Sequence, residues 1–218
     1  MKDKPMVFLD KFSTVHLDVL KEIGNIGAGH AATALSTLLN KKIDMRVPKV
    51  RVVSFDEMMD MAGGPENIVA SVFLRIEGEA PGSMFFVLSI EQASTFIKQM
   101  IGDVNFSFEQ PPYNELAMSA LQELGNILSG SYLSSLSDFT NLDLYPSVPA
   151  LSIDMVGAII SFGLIELSQV SDYAIVIDTA LDDDDLDVSE SVKGHFFLLP
   201  DPDSFEIIFR ALGVFLNE

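Results

Sequence analysis

The strongest constraint on this chain is that it is written twice. Asp18 to Pro48 (DVLKEIGNIGAGHAATALSTLLNKKIDMRVP) aligns without a gap on Ser119 to Pro149 (SALQELGNILSGSYLSSLSDFTNLDLYPSVP) at a constant offset of 101 (119 − 18), and 11 of the 31 positions are identical. Among the identities are Glu22 and Glu123, Gly24 and Gly125, Asn25 and Asn126, Gly29 and Gly130, and Pro48 and Pro149. Similarity returns near the end of each half, where Gly82 to Gly102 faces Gly194 to Gly213 and the offset slips from 112 to 111. Self-similarity at a fixed period marks one supersecondary unit used repeatedly. Each half reads as a long helix, two or three strands, and a shorter helix closed by Gly.

Candidate strands, rich in Val, Ile and Phe, are Lys49 to Ser54, Ile68 to Ile76, Ser83 to Ser89, Leu151 to Ile160, Tyr173 to Thr179 and His195 to Leu199. The expectation is an α/β (α+β) fold over 1–218, a single domain of two pseudo-symmetric halves (13–104 and 113–215). Long surface helices would pack on a mainly antiparallel sheet of about six strands. Asn105 to Pro112 (NFSFEQPP), with paired prolines that forbid helix, is the expected connection between halves.

On a helical wheel, with about 100° per residue, Leu20, Ile23, Gly24, Gly27, Ala31, Ala34, Leu35 and Leu38 fall on one apolar arc. Asp18, Glu22, Asn25, Gly29 and Ser36 fall opposite. The second copy repeats the division, with Leu121, Leu124, Gly125, Leu128, Tyr132, Leu136 and Phe139 inside and Ser119, Glu123, Asn126 and Gly130 outside. For one occurrence an ordinary solvated helix face would explain Glu and Asn three residues apart. Two occurrences at one offset, each with a Gly that costs about 1 kcal/mol against Ala in a helix, point to a docking stripe instead.

The charge balance limits what docks. With 32 acidic against 13 basic residues and a net charge of −19, the chain is poorly suited to nucleic acid or an anionic membrane, whose phosphates need Lys and Arg. A basic protein surface is the better match. No cysteine is present, which removes disulfides, thiolate chemistry and Cys-ligated metals. The N-terminal MKDKPMVFLDKF lacks an export signal, and the longest apolar run, Met155 to Ile165, is 11 residues, short of the roughly 20 that span a bilayer. The expectation is a cytoplasmic protein without membrane insertion.

Other chemistries fit poorly. Gly27-Ala28-Gly29-His30-Ala31-Ala32 matches the loose dinucleotide fingerprint G-x-G-x-x-A, but that turn must follow a strand, and Leu17 to Ile26 has helical spacing. The second copy also lacks it. His16, His30 and His195 have no counterparts in the other half and form no recognisable base or ligand pair. The acidic run from Leu181 to Ser191 (LDDDDLDVSES) lacks the spaced calcium-loop pattern and reads as a solvated turn.

The doubled pattern of Asp or Ser, three residues, Glu, two residues, Asn, twenty-two residues and Pro resembles the CheC/CheX/FliY family of chemotaxis phosphatases. Asp18, Glu22, Asn25 and Pro48 satisfy it, as do Ser119, Glu123, Asn126 and Pro149. The resemblance implies hydrolysis of the aspartyl phosphate of a CheY-type response regulator. Asn25 and Asn126 would orient the attacking water, and Glu22 and Glu123 would pair with a regulator Lys. Asp18, Ser119, Gly29, Gly130, Pro48 and Pro149 would support or receive the docked partner. No cofactor or metal is expected on this chain, and Mg²⁺ would belong to the regulator. The resemblance also implies association with the receptor deamidase CheD, for which Leu151 to Ile160, with Asp154, is the weaker candidate segment against its reading as a core strand. A flagellar switch component is the remaining alternative.

Overall fold

The computed structural model describes residues 13–167, 173–183 and 192–214. The chain runs α1 (Thr14–Leu39), β1 (Ile43–Arg46), β2 (Val50–Ser54), α2 (Phe55–Met61), β3 (Ile68–Gly78), β4 (Gly82–Ser89) and α3 (Ile90–Ile101). The second half repeats the order as α4 (Glu115–Thr140), β5 (Leu144–Pro146), β6 (Ala150–Met155), α5 (Val156–Leu167), β7 (Tyr173–Asp183), β8 (Val192–Pro200) and α6 (Pro202–Ala211).

Helix boundaries follow local chemistry in both copies. The Asn114 side chain accepts from the Leu116 N–H to open α4, and the buried His16 ring accepts the Ser13 N–H at 2.9 Å at the start of α1. His16 packs edge-on against Phe209, so this histidine is a packing residue. Both long helices end on an asparagine in the left-handed region, Asn40 (φ 50°) and Asn141 (φ 53°), 101 residues apart. That conformation stops a helix, and Asn tolerates it better than most side chains.

The eight strands form one antiparallel sheet in the order β1-β7-β8-β4-β3-β5, with β2 also on β7 and β6 also on β3. Two short strands, β1 and β5, thus add to the six expected. The halves exchange them. β1 and β2 of the first half pair with β7 of the second, and β5 and β6 of the second pair with β3 of the first. Each half's sheet edge is completed by the other, with β4 and β8 adjacent at the centre.

Alternation along the strands feeds two cores. Ala70, Val72, Leu74, Met84, Phe86, Ile175, Ile177, Phe196 and Leu198 face α1, α3, α4 and α6. Val69, Phe85, Val87, Ala174, Val176, Phe197 and Leu199 face the short helices α2 and α5. The expected strand Leu151 to Ile160 is divided: it is extended to Met155 and helical from Val156. The run from Met155 to Ile160 is without polar side chains because the α5 face is buried at Val156, Ile159 and Ile160, and periodicity cannot separate a buried strand from a buried helix over so few residues. The expected connection between halves is packed, with Phe106 and Phe108 buried edge-on. Most of the acidic run, residues 184–191, lies outside the described residues.

Candidate functional site

The long helices α1 and α4 lie side by side on the sheet. Contact is close because the residues between them are small: a Cβ on Gly27 would stand 3.1 Å from the Ser131 carbonyl oxygen and the Tyr132 Cα. Gly125 lies over the sheet, where a Cβ would come within 2.5 Å of a Val72 methyl, and Gly24 would meet Val47 at 3.2 Å. Gly29 and Gly130 have nothing within 4 Å of the position a Cβ would take. The wheel's division of labour among the glycines holds. The wheel fails toward the helix C-termini: Ala34 is exposed, Leu38 is 51% exposed and Phe139 48%.

The outward face of α1 carries Asp18, Glu22 and Gly29, all exposed, with Asn25 half-buried among them. On α4 Ser119 and Glu123 are exposed, and Asn126 and Gly130 half-buried. Each Glu stands one turn before its Asn, so carboxylate and carboxamide emerge on one stripe. The two stripes differ in what the Asn does. Asn25 donates to the Lys21 carbonyl at 3.0 Å and the Val47 carbonyl at 3.4 Å, and its oxygen accepts the Val47 N–H at 2.9 Å. An asparagine side chain offers two N–H donors and two acceptor sites, so three of its four are occupied. Asn126 makes one hydrogen bond among the described residues, to Glu123 Oε2 at 3.4 Å.

The cause is the loop before the proline. A residue preceding proline is held extended. Ahead of Pro48 the buried Val47 presents its N–H and C=O to Asn25. Ahead of Pro149, Val148 is 87% exposed, because Ser147 ties this loop to the sheet: its N–H donates to the Arg75 carbonyl at 2.8 Å and its hydroxyl accepts the Arg75 N–H at 2.9 Å. The Asn-to-Pro spacing was visible in the sequence as a repeated pattern. Its use as a backbone clasp in one copy only was not.

Asp154 lies apart from both stripes. It is exposed on β6, with Ser152, on the sheet face away from α1 and α4. There it borders a groove of about 430 Å³ lined by Ser71, Phe73, Phe85, Ala150, Ser152, Asp154, Ala158 and Ile159. Among the described residues the buried Ser71 hydroxyl has no hydrogen-bond partner.

The strand register locates the groove's counterpart in the other half. Val50 pairs with Ile177 as Leu151 pairs with Val72, so Asp178 stands where Phe73 does, and its neighbour His195 where Phe85 does. Arg51 correspondingly stands where Ser152 does. That position holds an ionic cluster: Arg51 donates to both Asp178 oxygens at 3.0 and 2.7 Å, and His195 Nδ1 lies 2.9 Å from Asp178 Oδ1. Burial pushes the Asp178 carboxyl up, but its bonds to His195 and Arg51 outweigh this and hold it below the usual range. Sequence reasoning missed this cluster because Arg51 and Asp178 are 127 residues apart. Among the described residues no group of three or more His, Asp or Glu side chains is placed to hold a metal, and no helix is long and apolar enough to cross a membrane.

The CheC-like family model matches residues 15–52 and 116–153, two segments at the offset of the internal repeat. A Bacillus subtilis (strain 168) protein named CheY-P phosphatase CheC is 54% identical over 200 residues, covering 92% of this chain and 95% of that one. The flagellar motor switch phosphatase FliY of the same organism is 37% identical over 129 residues, 59% of this chain and 33% of its own length. Among solved structures, Thermotoga maritima FliY superposes with a TM-score of 0.73 at 21% identity, covering 93% of this chain and 98% of that one. The FliM middle domain of H. pylori does so at 0.66 and 10% identity, over 92% and 99%. These two establish the shared fold.

Proposed function

We propose, for a chain that belongs to the CheC-like family, that it hydrolyses the aspartyl phosphate of a CheY-type response regulator at both Glu–Asn stripes. The observation carrying this reading is the doubled outward pair, Glu22 with Asn25 and Glu123 with Asn126, in a chain 54% identical to a CheY-P phosphatase. Water attacks phosphorus, the bond to the aspartyl oxygen breaks, and inorganic phosphate and a free carboxylate result. Phosphoryl transfer asks a protein for positioning and charge compensation more than for covalent chemistry. A carboxamide suits that task because it donates and accepts at once, holding a water in line without acting as a base. Glu22 and Glu123 pair with a regulator Lys, and the open surface at Gly29 and Gly130 lets the partner's backbone approach. Mg²⁺ bound by the regulator neutralises charge on the phosphoryl oxygens.

The two sites enter the reaction differently. Asn126 has both acceptor sites and one donor available, whereas Asn25 must release Val47 before its carboxamide can hold a water through more than one bond. We therefore assign the larger share of turnover to Asn126. The test is the decay of label from phosphorylated regulator with Asn25→Ala combined with Asn126→Ala. The acceleration is expected to vanish while the circular dichroism spectrum stays that of the folded protein, with a lower melting temperature because the Val47 backbone loses its bonds to Asn25, and a fully active double variant overturns the reading.

One observation favours a second role beside this one. The groove bordered by Asp154, with its unpartnered Ser71 hydroxyl, is remote from both stripes and is where a partner such as CheD would dock without blocking catalysis. Asp154→Lys is expected to abolish capture of CheD while leaving dephosphorylation unchanged. Undiminished capture excludes the groove.

A further inference from the structure

The two stripes do not begin at Asp18 and Ser119. One turn earlier stand Val15 and Leu116, again 101 residues apart (116 − 15). Residues 15, 18, 22, 25 and 29 fall within about 80° of one another on the wheel, as do 116, 119, 123, 126 and 130. Both side chains stand in solvent, Val15 53% and Leu116 60% exposed, while the residues that follow them, His16 and Ala117, are buried.

Helix formation does not require an apolar side chain at either position. Each is the second residue of its helix, α1 from Thr14 and α4 from Glu115. The positive end of the helix dipole favours acidic residues in this turn. The apolar contact that can fix a helix entry joins the residue before the cap to the fourth helical residue, not to the second. The caps themselves use other groups: the Asn114 side chain accepts the Leu116 N–H, and His16 accepts the Ser13 N–H. A single exposed apolar residue is ordinary. Two at equivalent positions, each opening a Glu–Asn stripe, belong to the stripe.

We propose that Val15 and Leu116 are the apolar docking residues of the two phosphatase sites, each covered by the regulator whose phosphoryl group lies at the Asn of the same stripe. The inference rests on the phosphatase reading and names what the partner carries: an apolar patch about 15 Å from its phosphoryl group, the rise of ten helical residues. A standard protein contact covers about 800 Å² on each partner, wide enough to reach from Asn126 to Leu116 or from Asn25 to Val15. Affinity in such contacts comes mainly from a few side chains that lose water, while charged pairs set register and encounter. Glu, Asn and Gly offer little apolar surface, so the residue opening each stripe supplies it.

The experiment reads each residue at its own site, in proteins that keep one site. Leu116→Gln in the Asn25→Ala protein should raise KM for a phosphorylated CheY-type regulator about tenfold with kcat unchanged, the size expected when much of a leucine side chain is no longer buried. Val15→Gln in the Asn126→Ala protein should do the same by about fivefold, valine being smaller. Exchanged between the two parents, the substitutions should change KM by less than about twofold. Leu116→Met, which keeps the apolar area, should retain the parent KM. Gln and Met form helix about as well as Leu, so the circular dichroism spectrum should not change. An unchanged KM, a lower kcat at unchanged KM, or a KM that rises as much with Met as with Gln overturns the assignment. A change in sedimentation at unchanged KM places these residues between copies of this chain and overturns it too. If neither single-site parent outpaces the regulator's own decay, the phosphatase reading fails and the assignment with it.

Discussion

Asn25 and Asn126 occupy equivalent positions in equivalent helices, yet one carboxamide is clasped by a backbone segment 22 residues away and the other points toward solvent with a single long bond. The difference lies in the loops, not the helices. Val47 turns inward over α1, while the corresponding Val148 turns outward because Ser147 has bonded to the sheet edge. A duplicated motif thus guarantees two copies of the residues but not two copies of the site. The second difference, between the ionic cluster at Arg51, Asp178 and His195 and the apolar groove at Ser152, Phe73 and Phe85, teaches the same lesson on the other sheet face.

The largest effect that tests this comparison is on activity. Asn126→Ala should leave about one fifth of the rate that Asn25→Ala leaves, because freeing Asn25 from a neutral hydrogen bond costs on the order of 1 kcal/mol, roughly a factor of five. Single-turnover decay of phosphorylated regulator reads this out, and equal residual rates would mean the Val47 clasp carries no kinetic cost.

Next come the paired glycines. Gly125→Ala forces a Cβ against Val72 at 2.5 Å, inside a packed core, and should destabilise by about 1–3 kcal/mol. Gly24→Ala, with its nearest contact at 3.2 Å, should cost less. Chemical denaturation of the two variants compares them, and a stable Gly125→Ala protein would mean that α4 can lift from β3 as readily as α1 shifts over Val47.

The ionic cluster gives a pH-dependent test. The Asp178 carboxyl is held below its unfolded value, so its contribution to stability is present above about pH 3.9 and is lost as pH falls through the lower folded value. Asp178→Asn should destabilise by about 1–2 kcal/mol near neutrality, with the gap to the unmodified protein closing in acid. The equivalent Phe73→Leu change should show no such closing. Thermal melts at about pH 7 and about pH 3 would reveal a constant gap if the cluster contributes nothing through charge.

The smallest effect separates docking from stability. Gly130→Ala meets nothing within 4 Å and should raise helix stability by up to about 1 kcal/mol, yet raise KM for phosphorylated regulator, because a methyl group stands where the partner approaches. An unchanged KM would remove Gly130 from the docking surface, and Gly29→Ala repeats the test at the first site.

The sequence by itself determined the repeat, its offset, the long helices, most strands, and the stripes bearing Glu22, Asn25, Glu123 and Asn126. These are local matters, set by hydrophobic period, and duplication let each be read twice. Tertiary structure alone decided the rest. The exchange of β1, β2, β5 and β6 between halves, the division of Leu151 to Ile160 into strand and helix, the clasp of Asn25 by Val47 and the joining of Arg51 to Asp178 all depend on partners brought together across the chain. No local preference encodes them. They follow from which edge of the shared sheet each loop meets once the two halves have folded onto one another.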